Sequence, residues 1–348
     1  MRELINKDDN RATIRWKLLT SASAFALAAT ISSSDAATDR PLIWLQASGQ
    51  FDQLADSQSV WVPEFVPGRP VGPLADQYTS IQKNPKTGFD ADASILFQPQ
   101  DSDWSLRASV RIGKARQPGS VLVSQHMPSH GKYSTHYGAT SHNNESHEVI
   151  DFQAGKDVGL GGGSTIRAGV RIADLRSRSD VHVSTNVPIS TSTAFNDASS
   201  RISRRFAGVG PSLAWDGSVP IAGAAQDGQL AVDWSAAASF LFGRQTTKEN
   251  TEATYQGRTT TITEYGHNNH KTGVRQQIQN TRSRTRNVTV PNLGGSIGIS
   301  YRWPAARVSL GYRADMFFGA IDGGIATRKS ENRGFFGPFV SISIGVGN

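Results

Sequence analysis

Cysteine is absent from the 348 residues, which excludes a disulfide framework and any thiolate metal centre. Long apolar runs are missing as well. After the N-terminal segment no stretch approaches the roughly 20 residues that a spanning helix requires, so the chain is not a helical membrane protein. Nor is there a nucleophile elbow, a phosphate-binding glycine loop or zinc-ligand spacing. The expectation is therefore a protein that is not an enzyme, with no catalytic residue, no cofactor and no metal. Charge of one sign is not concentrated either: 36 Lys and Arg face 29 Asp and Glu, a net +7. The arginines are scattered along the chain, which argues against nucleic acid as a partner.

What is present is a period of two. Residues 230–242 place Leu230, Val232, Trp234, Ala236, Ala238, Phe240 and Phe242 on one face, with Asp233, Ser235 and Ser239 on the other. The last such stretch opposes Pro338, Val340, Ile342, Ile344 and Val346 to Phe339, Ser341 and Ser343. A strand between lipid and a wet interior has this pattern, and its polar half cancels its apolar half in any average over the chain. Read this way, the sequence predicts an all-β, antiparallel up-and-down transmembrane barrel of about ten strands, with eight or twelve as alternatives. The spans are 42–51, 87–98, 104–114, 147–158, 164–175, 204–216, 228–243, 289–303, 307–318 and 335–346.

The connections alternate in length. Those at 52–86, 115–146, 176–203 and 244–288 are long, 319–334 is intermediate, and 99–103, 159–163, 217–227 and 304–306 are short. Long extracellular loops and short periplasmic turns produce this alternation, and an even strand number returns both termini to the periplasmic side. Gly159 to Gly163 supply a turn and Pro304 stops a strand. Trp104, Trp215 and Trp303 then fall at the periplasmic ends as an interfacial belt, and Phe240, Phe242, Phe318 and Phe336 at the opposite ends. Phe206 has the wrong parity for lipid, leaving a bulge or an inward aromatic open.

The N-terminus reads as an export signal over residues 1–36. Arg11, Arg15 and Lys17 precede a moderately apolar run from Leu18 to Ile31, and small residues at Ser34 and Ala36 place cleavage after Ala36. The run is too short and too rich in serine and alanine for an anchor. The barrel then occupies 37–348 as one domain in the cell outer membrane.

Five strings carry a family resemblance: EVIDFQAGKDVGLG (148–161), RAGVRIADL (167–175), FAGVGPSLAW (206–215), LAVDWSAAASFLFGRQ (230–245), and LGGSIGISYRW with SLGYRADMFF (293–303, 309–318). In this order they resemble the Legionella-type major outer membrane protein family, most closely its alphaproteobacterial branch. The similarity covers most of residues 145–346. It implies a pore-forming outer-membrane barrel that meets outer-membrane lipid, lipopolysaccharide and the barrel assembly machinery, and it supplies no catalytic residue. Many barrels end on an aromatic residue, whereas this chain ends Val346, Gly347, Asn348.

Function has to be read from the inward face. The candidate pore-lining residues are Arg107, Arg111, Asp151, Arg167, Arg171, Asp233, Arg302, Arg313 and Asp315, with Asp90, Asp92 and Asp157 of the same parity. A turn centred on Gly161 sets Asp151 opposite Arg171, and a turn near Gln100 brings Asp92 toward Arg111. Such pairs either brace a narrow wall or form a charged constriction for small ions or solutes. Passive diffusion is the expected activity, with a non-conducting surface barrel as the alternative and a lipid-modifying enzyme behind both. Oligomeric state is not legible. His126, His130, His136, His142 and His147 read as solvated residues of the 115–146 loop and the start of the next strand. The basic stretch 271–288 reads as a solvated loop or as a contact to lipopolysaccharide. Ser146, His147 and Glu148 adjoin, but neighbours on a strand point to opposite faces and cannot act together.

Overall fold

A computed structural model describes residues 42–55, 59–63, 78–82, 86–99, 102–117, 120–121, 136–159, 163–189, 192–224, 227–260, 271–323 and 330–347. The proposed export signal lies outside them. Among the described residues thirteen strands form in chain order. They are β1 (Ile43–Ala55), β2 (Ser59–Pro63), β3 (Tyr78–Gln82), β4 (Lys86–Phe97), β5 (Trp104–Gln117), β6 (Ser120–Val121), β7 (His136–Asp157), β8 (Ser164–Ile189), β9 (Ser192–Ala224), β10 (Gly228–Thr260), β11 (Lys271–Arg302), β12 (Ala306–Asp322) and β13 (Ser330–Val346). Ten of them close a ring in the order β1-β4-β5-β7-β8-β9-β10-β11-β12-β13, every neighbour antiparallel. The first strand meets the last along Ile43↔Val346 to Ala55↔Gly334. Closure leaves no open edge, which is the condition for a sheet to span a bilayer. The short pair β2–β3 forms a sheet of its own, and the two-residue β6 adds to β7 beyond the end of β5, at Ser120↔Thr140 and Val121↔Ala139.

The ten predicted spans each fall on one wall strand in the predicted order, and the start of β1 and the end of β13 lie at the short-turn rim, where Leu42 N–H donates to the Gly347 carbonyl at 3.0 Å. The predicted long loops need correction. Most of 176–203 and 244–288, and the end of 115–146, continue as paired strand: β8 and β9 pair out to Ile189↔Ser192, and β10 and β11 to Thr260↔Lys271. The hydropathy signal stops where the lipid stops, because both faces are then polar. The hydrogen-bond ladder needs no such contrast and runs on.

Side chains obey the parity. Phe152, Ile172, Leu213, Phe240, Ile297, Leu310 and Ile342 are outward and exposed, and together with their neighbours they form a continuous apolar band. A surface of that extent belongs against lipid, because full burial stabilises such a side chain by roughly 1.5–3 kcal/mol only where hydrocarbon covers it. Trp104, Trp215 and Trp303 edge the band at the short-turn rim, where Trp303 packs on Tyr301 at 4.6 Å. Inward, glycine lets the walls coil tightly. A Cβ on Gly210 would meet the Phe240 carbonyl oxygen at 1.8 Å, and one on Gly337 the Phe51 oxygen at 1.7 Å.

Candidate functional site

The bore is built in zones. Nearest the periplasmic rim, Asp233 of β10 accepts from Arg302 and Arg307, and Arg167 of β8 meets Asp216 of β9. Arg107 reaches Ser94 Oγ at 3.5 Å. The next zone is buried. Arg171 donates to both oxygens of Asp151 at 2.7 and 2.9 Å, as its register Asp151↔Arg171 predicts, and also crosses to Asn292 of β11. Bidentate geometry of this kind is strong and directional. Arg111 does sit in register with Asp92. Its guanidinium nevertheless crosses the bore to Asp315 of β12 and lies 3.5 Å from Asp90. The expected Asp92 to Arg111 approach is therefore replaced by a pairing between strands that are not neighbours. Arg313 lies 5.0 Å from the Phe339 ring centre as a cation over an aromatic face. All nine candidate residues thus point into the bore, Asp233, Arg302, Arg167 and Arg107 nearest the periplasmic rim and Asp151, Arg171, Arg111, Asp315 and Arg313 in the buried zone beyond. Asp157 does not line it, being exposed at a strand end, where it accepts from the Gly159 amide at 2.9 Å.

His147 corrects another expectation. It is 3 % exposed, points inward, and holds Asp90 Oδ2 at 3.1 Å while packing against Phe335. Ser146 and Glu148 take the opposite parity, as strand geometry demands. His142 stays exposed and lines a polar cavity of about 360 Å³ at the outer end of the barrel. His126 and His130 lie outside the described residues, as does the side chain of His136. Among the described residues, Asp52, Asp90 and His147 are the group able to hold a metal, with ligand atoms within 4.8 Å of one another. The Arg111 guanidinium beside Asp90 places a full positive charge against that group, which suits a hydrogen-bonded network better than a cation cage.

Beyond this charged zone the bore closes. Phe206, Phe317, Leu241 and Val290 are 0 % exposed, and with Leu175, Phe335 and smaller side chains they form one apolar cluster. Leu54 of β1, Ala115 of β5 and Val149 of β7 complete it, so every wall strand except β4 contributes. At this level β4 brings Gly88, whose added Cβ would lie 2.7 Å from that of Ala115. The result is a septum of close-packed apolar side chains across the lumen. Phe206, whose parity was unexplained in the sequence, is the inward aromatic at its centre.

A second charged zone lies on the outer side. Glu331 takes Arg204 at 3.3 Å and Arg333 at 3.2 Å, and Arg333 also approaches Glu145 at 3.5 Å. Arg284 holds Asp322, and Arg286 donates to Gln245 at 2.7 Å. The basic stretch 271–288 is therefore strand, with Arg284 and Arg286 turned inward rather than toward lipid. These partners were missed because their segments were read as loops. The period-two placement of Arg282, Arg284 and Arg286 was the available signal.

Comparison with known proteins gives a family and a set of structural likenesses. The family model described as Legionella pneumophila major outer membrane protein precursor matches residues 39–346. No curated protein matches. Among solved structures the chain is similar to the transport unit of the autotransporter AIDA-I from Escherichia coli, at 7% identity and TM-score 0.27, over 94% of this chain and 98% of that one. It is similar to the translocator domain of the autotransporter NalP from Neisseria meningitidis, at 11% identity and TM-score 0.23, over 96% and 95%. A third likeness is to the P. putida toluene transporter TodX, at 9% identity and TM-score 0.22, over 90% and 91%. The closed barrel rests on the strand pairing above, not on these scores.

Proposed function

The chain belongs to the Legionella major outer membrane protein family and is an outer-membrane β-barrel; from that premise we propose a porin-type role, passive passage of ions or small solutes, throttled by the apolar septum. What carries the reading is the layering of the bore: a charged zone lies on each side of a single apolar layer. Charged groups of both signs give small ions a path with counter-charges at each step. A ring of ten strands lies closer in size to the eight whose side chains fill the interior than to an open porin, so the solute is small. No catalytic step belongs to this role, a reading supported by the opposite parity of His147 and its two neighbours. Export by residues 1–36 and insertion by the barrel assembly machinery complete it. N-terminal sequencing of the mature protein should begin at Ala37, and a start elsewhere removes the cleavage assignment.

The complete burial of Phe206, Phe317 and Leu241 favours a second reading, a non-conducting surface barrel. Planar bilayers separate the two. Under the first, wild type gives small discrete current steps and Phe206→Ala with Phe335→Ala enlarges them several-fold, because the septum is the narrowest layer. Silence from both proteins, once each is shown to insert, selects the second. Within a conducting barrel, replacing Arg111 and Arg171 by Ala should move the reversal potential toward cations. An unmoved potential rejects those two arginines as determinants of selectivity.

A further inference from the structure

On the outward face of β8, β9 and β10 the surface changes character within one two-residue step. Ile172, Val209 and Phe242 share a level by register and are 41%, 48% and 57% exposed to lipid. The next outward residues on the same strands are Asp174, Ala207 and Arg244. Beyond them, Arg176 stands opposite Arg205, Arg178 and Lys248 flank Ser203, and Asp180 stands opposite Arg201. Six cations (Arg176, Arg178, Arg201, Arg205, Arg244, Lys248) against two carboxylates (Asp174, Asp180) leave 6 − 2 = +4 on this face.

The patch is bounded. On β11 the residues in register with Arg244, Thr246, Lys248 and Asn250 are Asn287, Thr285, Ser283 and Thr281, all uncharged. On β7 the residues facing Asp174, Arg176 and Arg178 are Glu148, Ser146 and Asn144. The basic surface is thus three strands wide, about 10 Å, and extends about 20 Å above the apolar band.

It is also ordered. Asp174 binds Arg176 (2.6 Å) and Arg205 (2.8 Å), and Asp180 binds Arg178 (2.9 Å) and Arg201 (2.6 Å). Each carboxylate holds two guanidiniums in place without neutralising both. Among the described residues neither Arg244 nor Lys248 has an ion-pair partner. Directly opposed cations such as Arg176 and Arg205 destabilise a bare sheet, and a second source of negative charge relieves them. Such charge is present at this height in the outer leaflet, where acidic headgroups sit just above the acyl chains.

We propose that this three-strand collar binds the acidic headgroup of lipopolysaccharide, with the phosphates of its lipid A lying across Arg178, Arg201, Arg244 and Lys248. Guanidinium recognises such oxyanions in pairs of hydrogen bonds. The inference is independent of whether the bore conducts.

The test uses the full mature barrel in neutral detergent micelles, with fluorescent bisphosphoryl lipid A as the ligand. The variant Arg178→Ser/Arg201→Ser/Arg244→Ser/Lys248→Ser should bind on the order of several hundredfold more weakly, given about fivefold per basic residue at an anionic lipid surface. Among single changes, Arg244→Ser should weaken binding, whereas Lys156→Ser, at the periplasmic rim beside Trp104, should not. Equal loss in those two singles, or none in the fourfold variant, overturns the proposal. If the fourfold variant does not refold, wild type still decides the matter: its affinity should fall between about 0.05 and 0.5 M salt and on exchange of bisphosphoryl for monophosphoryl lipid A. Indifference to both changes overturns it equally.

Discussion

Arginines of the bore and arginines of the outer collar come from the same strands and have opposite circumstances. Arg171 and Arg204 are 7% and 3% exposed, pair with carboxylates of the lumen and reach strands that are not their neighbours. Arg201 and Arg205 are exposed, pair only with Asp180 and Asp174 on the adjoining strand and leave positive charge in excess. Parity along the strand and height relative to the lipid band decide which environment an arginine meets. An inward arginine below the outer rim becomes part of the wall's internal bracing, and an outward one above the band becomes available to a partner.

That contrast is breakable, and the largest effect is expected in the bore. Asp315→Ala leaves Arg111 buried without its main counter-charge, and an uncompensated buried charge costs about 3–5 kcal/mol. Urea unfolding in detergent should show it, and a loss under 1 kcal/mol removes the claim that Arg111 is held by a lumen-spanning pair. Pairing Asp315→Leu with Arg111→Met should recover most of the loss. Next comes the septum: Phe206→Ala should cost about 3 kcal/mol through the cavity it opens. A thermal melt checks that figure, and a near-neutral result means the aromatic layer is not close-packed.

In the collar the effects shrink. Arg201→Ser removes an exposed pair and should change stability by less than about 1 kcal/mol, so a loss comparable to Asp315→Ala erases the contrast. The smallest effect is that of pH. Burial pushes the Asp180 carboxyl up, but hydrogen bonds from Arg201 and Arg178 outweigh it and hold the group below the usual carboxylate range. A depressed folded value means the stabilisation is complete above the ordinary carboxylate pKa of about 3.9 and is lost as pH falls through the folded value. Hydrogen-exchange protection at the outer ends of β8 and β9, taken relative to the intrinsic exchange rate at each pH, should therefore fall only in that acidic window. A loss of protection between pH 5 and 7 contradicts the assignment.

Particular residues separate what could be read in advance from what could not. The Asp151–Arg171 pair was legible because a five-residue turn at 159–163 fixes the register of the hairpin, and register fixes the facing residue. Arg111 misled the same reasoning: its neighbour across the ladder is Asp92, yet Asp315 lies within reach only because the sheet closes on itself. Phe206 carried a visible anomaly of parity without a visible cause. Its cause is the septum, which draws side chains from strands far apart in the chain.

The order of the wall strands, the alternation of faces along them and the tryptophan girdle were determined by the sequence alone, while the strand count stayed between eight and twelve until the ring closed at ten. The first three are set by contacts between a residue, its neighbours and the solvent on either side, so a period of two and a turn suffice to specify them. The partners met across the lumen, the apolar layer that shuts it, the extension of β7–β11 beyond the lipid and the basic collar on that extension were decided only by the tertiary structure. These depend on the circumference at which the ring closes and on hydrogen-bond ladders that persist after the contrast between oil and water has ended.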